Sequence, residues 1–209
     1  MDEQLLLLIN HASNDFMDGF MYLLTEKVVW IPLYASLLYA VWRNYSWRGI
    51  MTLAVMIGIG MFFTDWFNAH ILREAFARLR PNNPENPIFP TLHLVRDCRG
   101  GGYGFPSAHS ANFWMLTFMM MHWLRSHMVN VTMCAISILV CYSRIYMGYH
   151  YPGDILGGMV YAAIITGILA WLHHRCLHFS ATDSPRHVWV PTTVGAMTIL
   201  TFITIAIAA

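Results

Sequence analysis

Six hydrophobic stretches, each close to or above the length of a membrane-spanning helix, constrain the fold of this chain more than any other feature. They lie at about residues 28–43, 49–72, 107–125, 129–148, 153–174 and 188–208. A spanning helix needs roughly 20 mostly apolar residues, because it must cross a hydrocarbon core about 30 Å thick. Only 11% of the residues are charged, whereas soluble domains carry about 25%. We therefore predict an all-α, polytopic membrane helix bundle with about six transmembrane helices.

Residues 1–25 combine apolar side chains with polar ones such as Asn10 and Asp18. This mixture is typical of an amphipathic helix that lies in the membrane interface, and we expect such an interfacial helix to precede the bundle. The length of 209 residues fits one compact domain. We therefore predict a single integral membrane domain over residues 1–209. The net charge of +1 gives no indication of nucleic-acid binding.

The longest connection between the predicted helices is residues 73–106. It contains Pro81, Pro84, Pro87, Pro90 and the run Gly100-Gly101-Gly102. Such a stretch cannot be regular helix, and a loop of this length in a compact domain is usually functional. We therefore predict an active-site loop region over residues 73–106, with a poorly ordered connector as the alternative.

The connections alternate between two sides of the bundle, so the turn 149–152 falls on the same side as the long loop. The loops on the other side, with their flanks, carry Arg43, Arg48, Arg125, Arg175 and Arg186, and Asp183 is their only acid. Cytoplasmic loops of membrane proteins are enriched in lysine and arginine. We therefore expect the side of the long loop to face away from the cytoplasm.

Arg73 and Arg80, followed by Pro81, form the first polar motif at the end of a hydrophobic stretch. On a helix, a spacing of seven residues is two turns and places both side chains on one face. Two guanidiniums that face the same way can grip a tetrahedral phosphate. The alternative is that both arginines extend to the membrane interface at a helix end. Arg78 lies one turn from Glu74, which predicts an ordinary pair on a helix surface.

The second motif, Pro106-Ser107-Ala108-His109, precedes the third hydrophobic stretch. Ser107 is a natural N-cap residue, and free backbone N–H groups at such a helix start can bind an anion. His109 would then lie in the first turn, beside the anion. The alternative is that Ser107 only caps a membrane helix and His109 is a polar residue at the interface.

The third motif begins with Ser143 and Arg144 at the end of the fourth stretch and continues with His150 and Asp154. Pro152 fits the first position of the next helix. A carboxylate in that first turn can accept a hydrogen bond from one imidazole nitrogen and leave the other as a nucleophile. These charged groups would be costly near membrane depth unless they pair, so the motif favours function over a simple interfacial turn.

Together the three motifs resemble those of the type-2 phosphatidic acid phosphatase family, which shares its motif set with vanadium-dependent haloperoxidases. The resemblance covers roughly residues 20–175, and the motifs occur in the family's order with similar intervals. The matching residues are Arg73, Arg80, Pro81, Pro106, Ser107, His109, Ser143, Arg144, His150 and Asp154. The chain departs from the family pattern at Arg73, where a lysine is usual, and at Ala108, where a glycine is usual.

The resemblance implies a role for each matching residue. His150 would be the nucleophile that forms a phosphohistidine, and Asp154 would orient it. His109 would protonate the leaving oxygen and then activate water. The phosphate would be held by Arg73, Arg80, Ser107, Arg144 and the backbone near Ala108. No metal or other cofactor is implied, since the chain lacks a carboxylate cluster suited to magnesium.

The same resemblance implies a membrane lipid phosphatase acting on a phosphomonoester or diphosphate. Residues 96–104 are similar to a stretch of bacterial envelope-lipid phosphatases, which favours lipid A phosphate or undecaprenyl diphosphate as the substrate. We expect a multi-pass protein of the bacterial inner membrane, with its active site facing the periplasm and with lipids as its partners. The alternatives are a lipid phosphotransferase and a non-enzymatic membrane protein that binds or transports anions. The sequence does not indicate an oligomeric state.

Overall fold

A computed structural model describes residues 1–177, 182 and 184–208 of the chain. The α-helices are α1 (Asp2–Asn10), α2 (Asp15–Thr25), α3 (Ile31–Met61), α4 (Arg73–Phe76), α5 (Ala108–Leu124), α6 (His127–Tyr146), α7 (Pro152–Leu177) and α8 (Trp189–Ala208), with a π-helix at Phe62–Leu72. No strand is present in the described part of the chain, where the pairing of Leu79 with Tyr103 is an isolated bridge. The prediction of an all-α bundle is confirmed.

Helix α3 is not straight, because Ser46 interrupts it with φ 60° and ψ −166°. Before this break, the chain runs parallel to α5. The ring of Trp30 contacts Phe113 near the start of α5, at 5.7 Å between centroids. The ring of Tyr45 contacts Trp123 near the end of α5, at 5.1 Å.

After Ser46 the chain runs back along α5 in the opposite direction. Gly49 lies against Trp123, so that a Cβ added there would be 3.4 Å from the indole. Further along, the Thr64 hydroxyl donates to Asn112 Oδ1 at 2.6 Å, near the start of α5. Helix α3 and the π-helix therefore form two antiparallel arms, which correspond to the first two hydrophobic stretches predicted from the sequence.

Helices α5 and α7 pack closely beside the second polar motif. A Cβ added to Gly158 of α7 would lie 2.5 Å from the carbonyl oxygen of Ser107, so only glycine permits this approach. The Ser110 hydroxyl donates to the carbonyl oxygen of Ile155 at 2.7 Å. These contacts fix the start of α5 against the first turns of α7, which brings the second and third motifs together.

The outer surface of the bundle is apolar over a large area. Exposed side chains include Ile164, Trp171, Met197 and Leu200, each more than half accessible. Exposed apolar surface of this extent marks contact with a membrane or a partner. Among the described residues, four helical segments are long and apolar enough to cross a membrane: Val28–Phe76, His127–Tyr146, Pro152–Cys176 and Trp189–Ala208. The chain is a multi-pass membrane protein, while the count of six spans stays a prediction.

The N-terminal stretch forms two helices rather than the single amphipathic helix that we expected. The Asn14 side chain accepts from the backbone N–H of Met17 and begins α2, which separates it from α1. Helix α1 is also anchored to the bundle, since Leu6 is fully buried in a cluster with Ile145 and Ile155. The N-terminus therefore packs against α6 and α7.

Candidate active site

His150 and Asp154 lie side by side and are almost completely buried, with side-chain exposures of 1% and 0%. His150 Nδ1 is 3.5 Å from Asp154 Oδ2. This distance allows electrostatic attraction but exceeds that of a normal hydrogen bond. Asp154 Oδ2 also accepts from the backbone N–H of Tyr151 at 3.0 Å, so the turn before α7 fixes the orientation of the carboxylate.

Arg144 lies in the last turn of α6, close to His150. Its carbonyl oxygen accepts from the backbone N–H groups of Tyr149 and His150, at 3.0 and 3.3 Å. Its guanidinium is stacked on the ring of Tyr149, at 4.0 Å from the centroid. The turn that carries His150 is therefore held against Arg144, which belongs to the same motif.

Arg80 reaches the site by a different route from the one that we predicted. Helix α4 ends at Phe76, and Ala77 takes a left-handed conformation with φ 47°, so Arg73 and Arg80 do not share a helix face. Instead, the backbone N–H of Arg80 donates to Gly102 at 3.4 Å, and Arg80 Nε donates to the carbonyl oxygen of Tyr103 at 3.1 Å. The long loop folds back on itself and presents Arg80.

Gly104 shows how tightly this loop covers the buried pair. A Cβ added there would lie 3.1 Å from Asp154 Oδ2, 3.2 Å from Arg80 Cγ and 3.5 Å from His150 Nδ1. The backbone of the loop therefore lies directly over the imidazole and carboxylate, and any larger residue at position 104 would displace one of these groups.

Arg73 and the start of α5 lie next to each other, and the start of α5 contacts the backbone of Asp154. Arg73 Nε donates to the carbonyl oxygen of Pro106 at 3.2 Å. Ser107 is the N-cap of α5, as predicted, and its side chain accepts from the backbone N–H of Ser110 at 3.4 Å. The backbone N–H of Ser107 donates to the carbonyl oxygen of Asp154 at 3.0 Å. Ala108 is buried beside them, with an exposure of 6%.

His109, in the first turn of α5, is only partly buried and lies at the edge of a cavity of about 380 Å³. The wall of the cavity is mostly apolar and comes from both arms of α3 and from α5. The polar side chains at its edge are those of His109, Asn112, Lys27 and Tyr34. His109 therefore connects the buried polar site with an apolar space inside the bundle.

Burial lowers the pKa of His150 well below 6.5, and the positive charges of Arg144, Arg80, Arg73 and His109 lower it further. A neutral imidazole keeps the lone pair that a nucleophile needs. His150 Nε2 and Arg144 Nε are buried and have no hydrogen-bond partner among the described residues. Because buried polar groups are nearly always paired in folded proteins, these atoms indicate a place for an anionic ligand.

Arg78 has different partners from the one that the sequence predicts. The predicted surface pair with Glu74 is wrong, because the helix ends before Arg78 is reached. Arg78 instead forms ion pairs with Asp2 and with Asp154, the latter at 2.8 Å. Asp2 belongs to α1, far away in the sequence, so no local pattern signals this pairing.

The structure thus brings together all eight residues that the sequence proposed for the site, from three separate segments of the chain. In the described residues, no group of three or more histidine, cysteine, aspartate or glutamate side chains could hold a metal ion. The available chemistry is that of two imidazoles, one carboxylate and several guanidiniums. Such a set can bind a phosphate and transfer it through a histidine.

Comparison with known proteins gives consistent results. The family model described as the PAP2 superfamily matches residues 49–177. The chain is 39% identical over 178 residues to the lipid A 4'-phosphatase of Bacteroides thetaiotaomicron, an alignment that covers 85% of this chain and 77% of the relative. It is 27% identical over 208 residues to the lipid A 4'-phosphatase of Porphyromonas gingivalis, with 93% and 87% covered.

A solved structure supports the fold. The crystal structure of a transmembrane PAP2 type phosphatidylglycerolphosphate phosphatase from Bacillus subtilis superposes with a TM-score of 0.60 at 20% identity. The superposition covers 86% of this chain and 87% of that one. At 20% identity, this similarity is evidence for the fold alone.

Proposed function

The chain belongs to the PAP2 superfamily and is a membrane lipid phosphatase, and from that premise we propose that it removes a phosphate group from lipid A. The observation that carries the assignment of the site is the convergence of His150, Asp154 and His109 with Arg73, Arg80 and Arg144 at one end of an apolar helix bundle. The names of the two relatives, both lipid A 4'-phosphatases, favour this substrate. Undecaprenyl diphosphate, the other substrate expected from the sequence, is the rival.

In the first step, His150 Nε2 attacks the phosphorus atom, a P–N bond forms and the bond from phosphorus to the lipid oxygen breaks. His109 gives its proton to that oxygen, so that the lipid leaves as an alcohol. The imidazole becomes positively charged as it reacts, and Asp154 Oδ2, 3.5 Å from Nδ1, stabilises this charge. Neutral His150 is ready for attack near pH 7 because its pKa lies well below 6.5.

In the second step, His109 takes a proton from water, and the resulting hydroxide attacks the phosphorus atom. The P–N bond breaks, inorganic phosphate forms and His150 regains its neutral state. Arg73, Arg80 and Arg144 stabilise the negative charge on the oxygens that surround the phosphorus atom in both steps. The N–H groups at the start of α5, near Ser107 and Ala108, support them.

The cavity beside His109 provides a place for the apolar part of the lipid. It lies next to the residue that protonates the leaving group, and its wall includes Leu37, Leu53, Ile57 and Met115. A lipid whose phosphate reaches His150 could keep its chains among these side chains. The loop over residues 73–106, which carries Arg80 and Gly104, would close the polar end as the active-site loop.

The deciding experiment is a phosphate-release panel on the purified protein in detergent micelles. The substrates are lipid A, undecaprenyl diphosphate, phosphatidylglycerol phosphate and phosphatidic acid, each with the His150→Ala variant as the matched control. We expect the highest kcat/KM with lipid A and no release by the variant. A higher kcat/KM with undecaprenyl diphosphate would overturn the choice of substrate, and phosphate release that requires a lipid acceptor would indicate a phosphotransferase.

We also propose that the protein lies in the bacterial inner membrane with its active site on the periplasmic side. The arginines of the opposite loops support this orientation. A single cysteine placed at Glu85, in the active-site loop of a variant without its native cysteines, should react with a membrane-impermeant maleimide in intact spheroplasts. Reaction only after lysis would place the loop in the cytoplasm.

A further inference from the structure

Arg78 lies between two carboxylates, those of Asp2 and Asp154, that are far apart in the sequence. Its Nη1 donates to Asp154 Oδ1 at 2.8 Å, and its Nη2 donates to Asp2 Oδ2 at 2.5 Å. The guanidinium is stacked on the ring of Tyr151, 4.2 Å from the centroid. Three contacts therefore fix a side chain that is still 35% exposed.

The contact with Arg78 determines how the carboxylate of Asp154 is turned. Oδ1 is occupied by Arg78, which leaves Oδ2 for the Tyr151 N–H at 3.0 Å and for His150 Nδ1 at 3.5 Å. A fully buried carboxylate also needs a compensating positive charge, because desolvation disfavours its ionised form. Among the described residues, Arg78 is the arginine or lysine that forms an ion pair with Asp154, so it both orients and neutralises this group.

Asp2 holds Arg78 from the other side and also contacts the helix that carries Asp154. Asp2 Oδ1 accepts from the backbone N–H of Gly153 at 2.9 Å. It therefore lies at the N-terminus of α7, where a negative charge is favoured by the helix dipole. One carboxylate thus joins Arg78 to the first turn of α7.

Helix α1 is positioned firmly enough for Asp2 to act in this way. The Asn10 side chain at its other end is fully buried and donates to the carbonyl oxygens of His93 and Tyr146, at 2.9 and 2.7 Å. Asn10 Oδ1 also accepts from the backbone N–H of His93 at 2.8 Å. Helix α1 is therefore tied to both the active-site loop and the end of α6.

We propose that Arg78 is a positioning residue for Asp154, and that Asp2 of α1 holds Arg78 in place. This inference rests on the proposed function, because it assumes that Asp154 supports His150 during phosphoryl transfer. In the proposed arrangement, Arg78 does not contact the phosphate. It acts on the rate of the chemical step through the carboxylate, and it makes the N-terminal helix part of the catalytic apparatus.

The test compares kcat and KM for Arg78→Ala, Arg78→Lys and Asp2→Asn with those of the parent protein. We expect Arg78→Ala to lower kcat by about 10- to 100-fold with KM within about threefold, because only the transition state loses stabilisation. Arg78→Lys should recover part of the loss. Asp2→Asn keeps an acceptor for Gly153 and should lower kcat by about 3- to 10-fold. Arg99→Ala changes an exposed arginine of the same loop, whose guanidinium lies 5.9 Å from the centroid of the Phe89 ring; it is the matched control and should be unaffected.

A double variant separates positioning from a merely structural role. If Arg78 acts through Asp154, then Arg78→Ala should have little further effect on kcat in an Asp154→Asn background. Multiplicative effects, or a rise in KM with unchanged kcat, would overturn the proposal. Added guanidine should restore activity to Arg78→Ala, since the position is solvent-accessible. If Arg78→Ala does not fold, Arg78→Lys and Asp2→Asn carry the test, and unchanged kcat in both would overturn it.

Failure of this inference differs from failure of the proposed function. A parent protein that releases no phosphate from any lipid of the panel would refute the function itself. An active parent protein whose kcat does not change in Arg78→Ala would refute only the role of Arg78.

Discussion

Replacing Asp154 by asparagine changes the polar character of a fully buried side chain without changing its shape, which makes it a sharp perturbation of the proposed mechanism. Both oxygens of the Asp154 carboxylate accept a hydrogen bond: Oδ1 accepts from Arg78 at 2.8 Å, and Oδ2 accepts from the Tyr151 N–H at 3.0 Å. An amide has only one oxygen. The NH2 group of the asparagine must therefore take the place of one of these oxygens. In one orientation it faces the donors of the Arg78 guanidinium, and in the other it faces the Tyr151 N–H and His150.

The expected effect on the rate follows from this geometry. Stabilisation of the imidazolium is lost, and an amide NH2 directed at His150 favours the wrong tautomer. In a comparable buried Asp–His pair such a change lowers kcat by about 10⁴-fold. The His150–Asp154 distance of 3.5 Å is longer than a hydrogen bond, so we expect a decrease of about 10²- to 10⁴-fold, or roughly 3 to 5 kcal/mol in activation free energy.

The expected effect on stability is smaller. One hydrogen bond between charged groups is lost, which costs about 1.5 to 3 kcal/mol when the partner is charged. Arg78 keeps its pair with Asp2 and remains partly exposed, which places the effect at the lower end. The protein should therefore still fold.

The assay measures phosphate release from lipid A by purified Asp154→Asn, together with its Tm and its elution from a sizing column in detergent. Loss of activity with a folded protein supports the role of Asp154. Activity within about threefold of the parent protein would show that Asp154 only caps α7 and does not support His150 in the reaction.

Three further predictions concern pH, packing and the leaving group. Protonation of His150 removes its lone pair, so kcat/KM should decrease as the pH falls through a pKa that lies below 6.5; an acid limb above pH 7 would contradict this. Gly158→Ala should lower Tm and kcat together, because the new Cβ would lie 2.5 Å from the Ser107 carbonyl oxygen, whereas Gly167→Ala, with open space around it, is the control. His109→Ala should lower kcat by about 10²- to 10⁴-fold. The variant should still bind lipid, as measured by equilibrium dialysis against micelles. Weaker binding at unchanged kcat would place His109 among the phosphate ligands.

The sequence was sufficient to predict the helical bundle and to name eight polar-motif residues that the structure brings near one another; that they form the active site stays a prediction. The hydrophobic stretches are local features, and capping by Ser107 follows from residue type alone. The two antiparallel arms were also predictable as separate hydrophobic stretches. The positive φ of Ser46, where the two arms divide, was not predictable.

The positions of the arginines could not be predicted in the same way. A spacing of seven residues suggested that Arg73 and Arg80 share a helix face, but Ala77 ends the helix in a left-handed conformation. Arg80 is presented by backbone contacts with residues 102 and 103, which are brought near it only by the tertiary fold. The pairing of Arg78 with Asp2 likewise depends on the docking of α1 against the bundle, and no periodic pattern in the sequence indicates that docking.

Trapping the covalent intermediate would show directly whether His150 is the nucleophile. The protein is mixed with lipid A labelled in its phosphate, quenched with alkali in the first turnover and digested with trypsin. Cleavage after Arg144 and Arg175 releases residues 145–175, which contain His150. We predict one labelled phosphohistidine at His150 that forms before free phosphate and is absent from His150→Ala. Phosphate release without any label on the protein, or a label on His109, would contradict the assignment of His150 as the nucleophile.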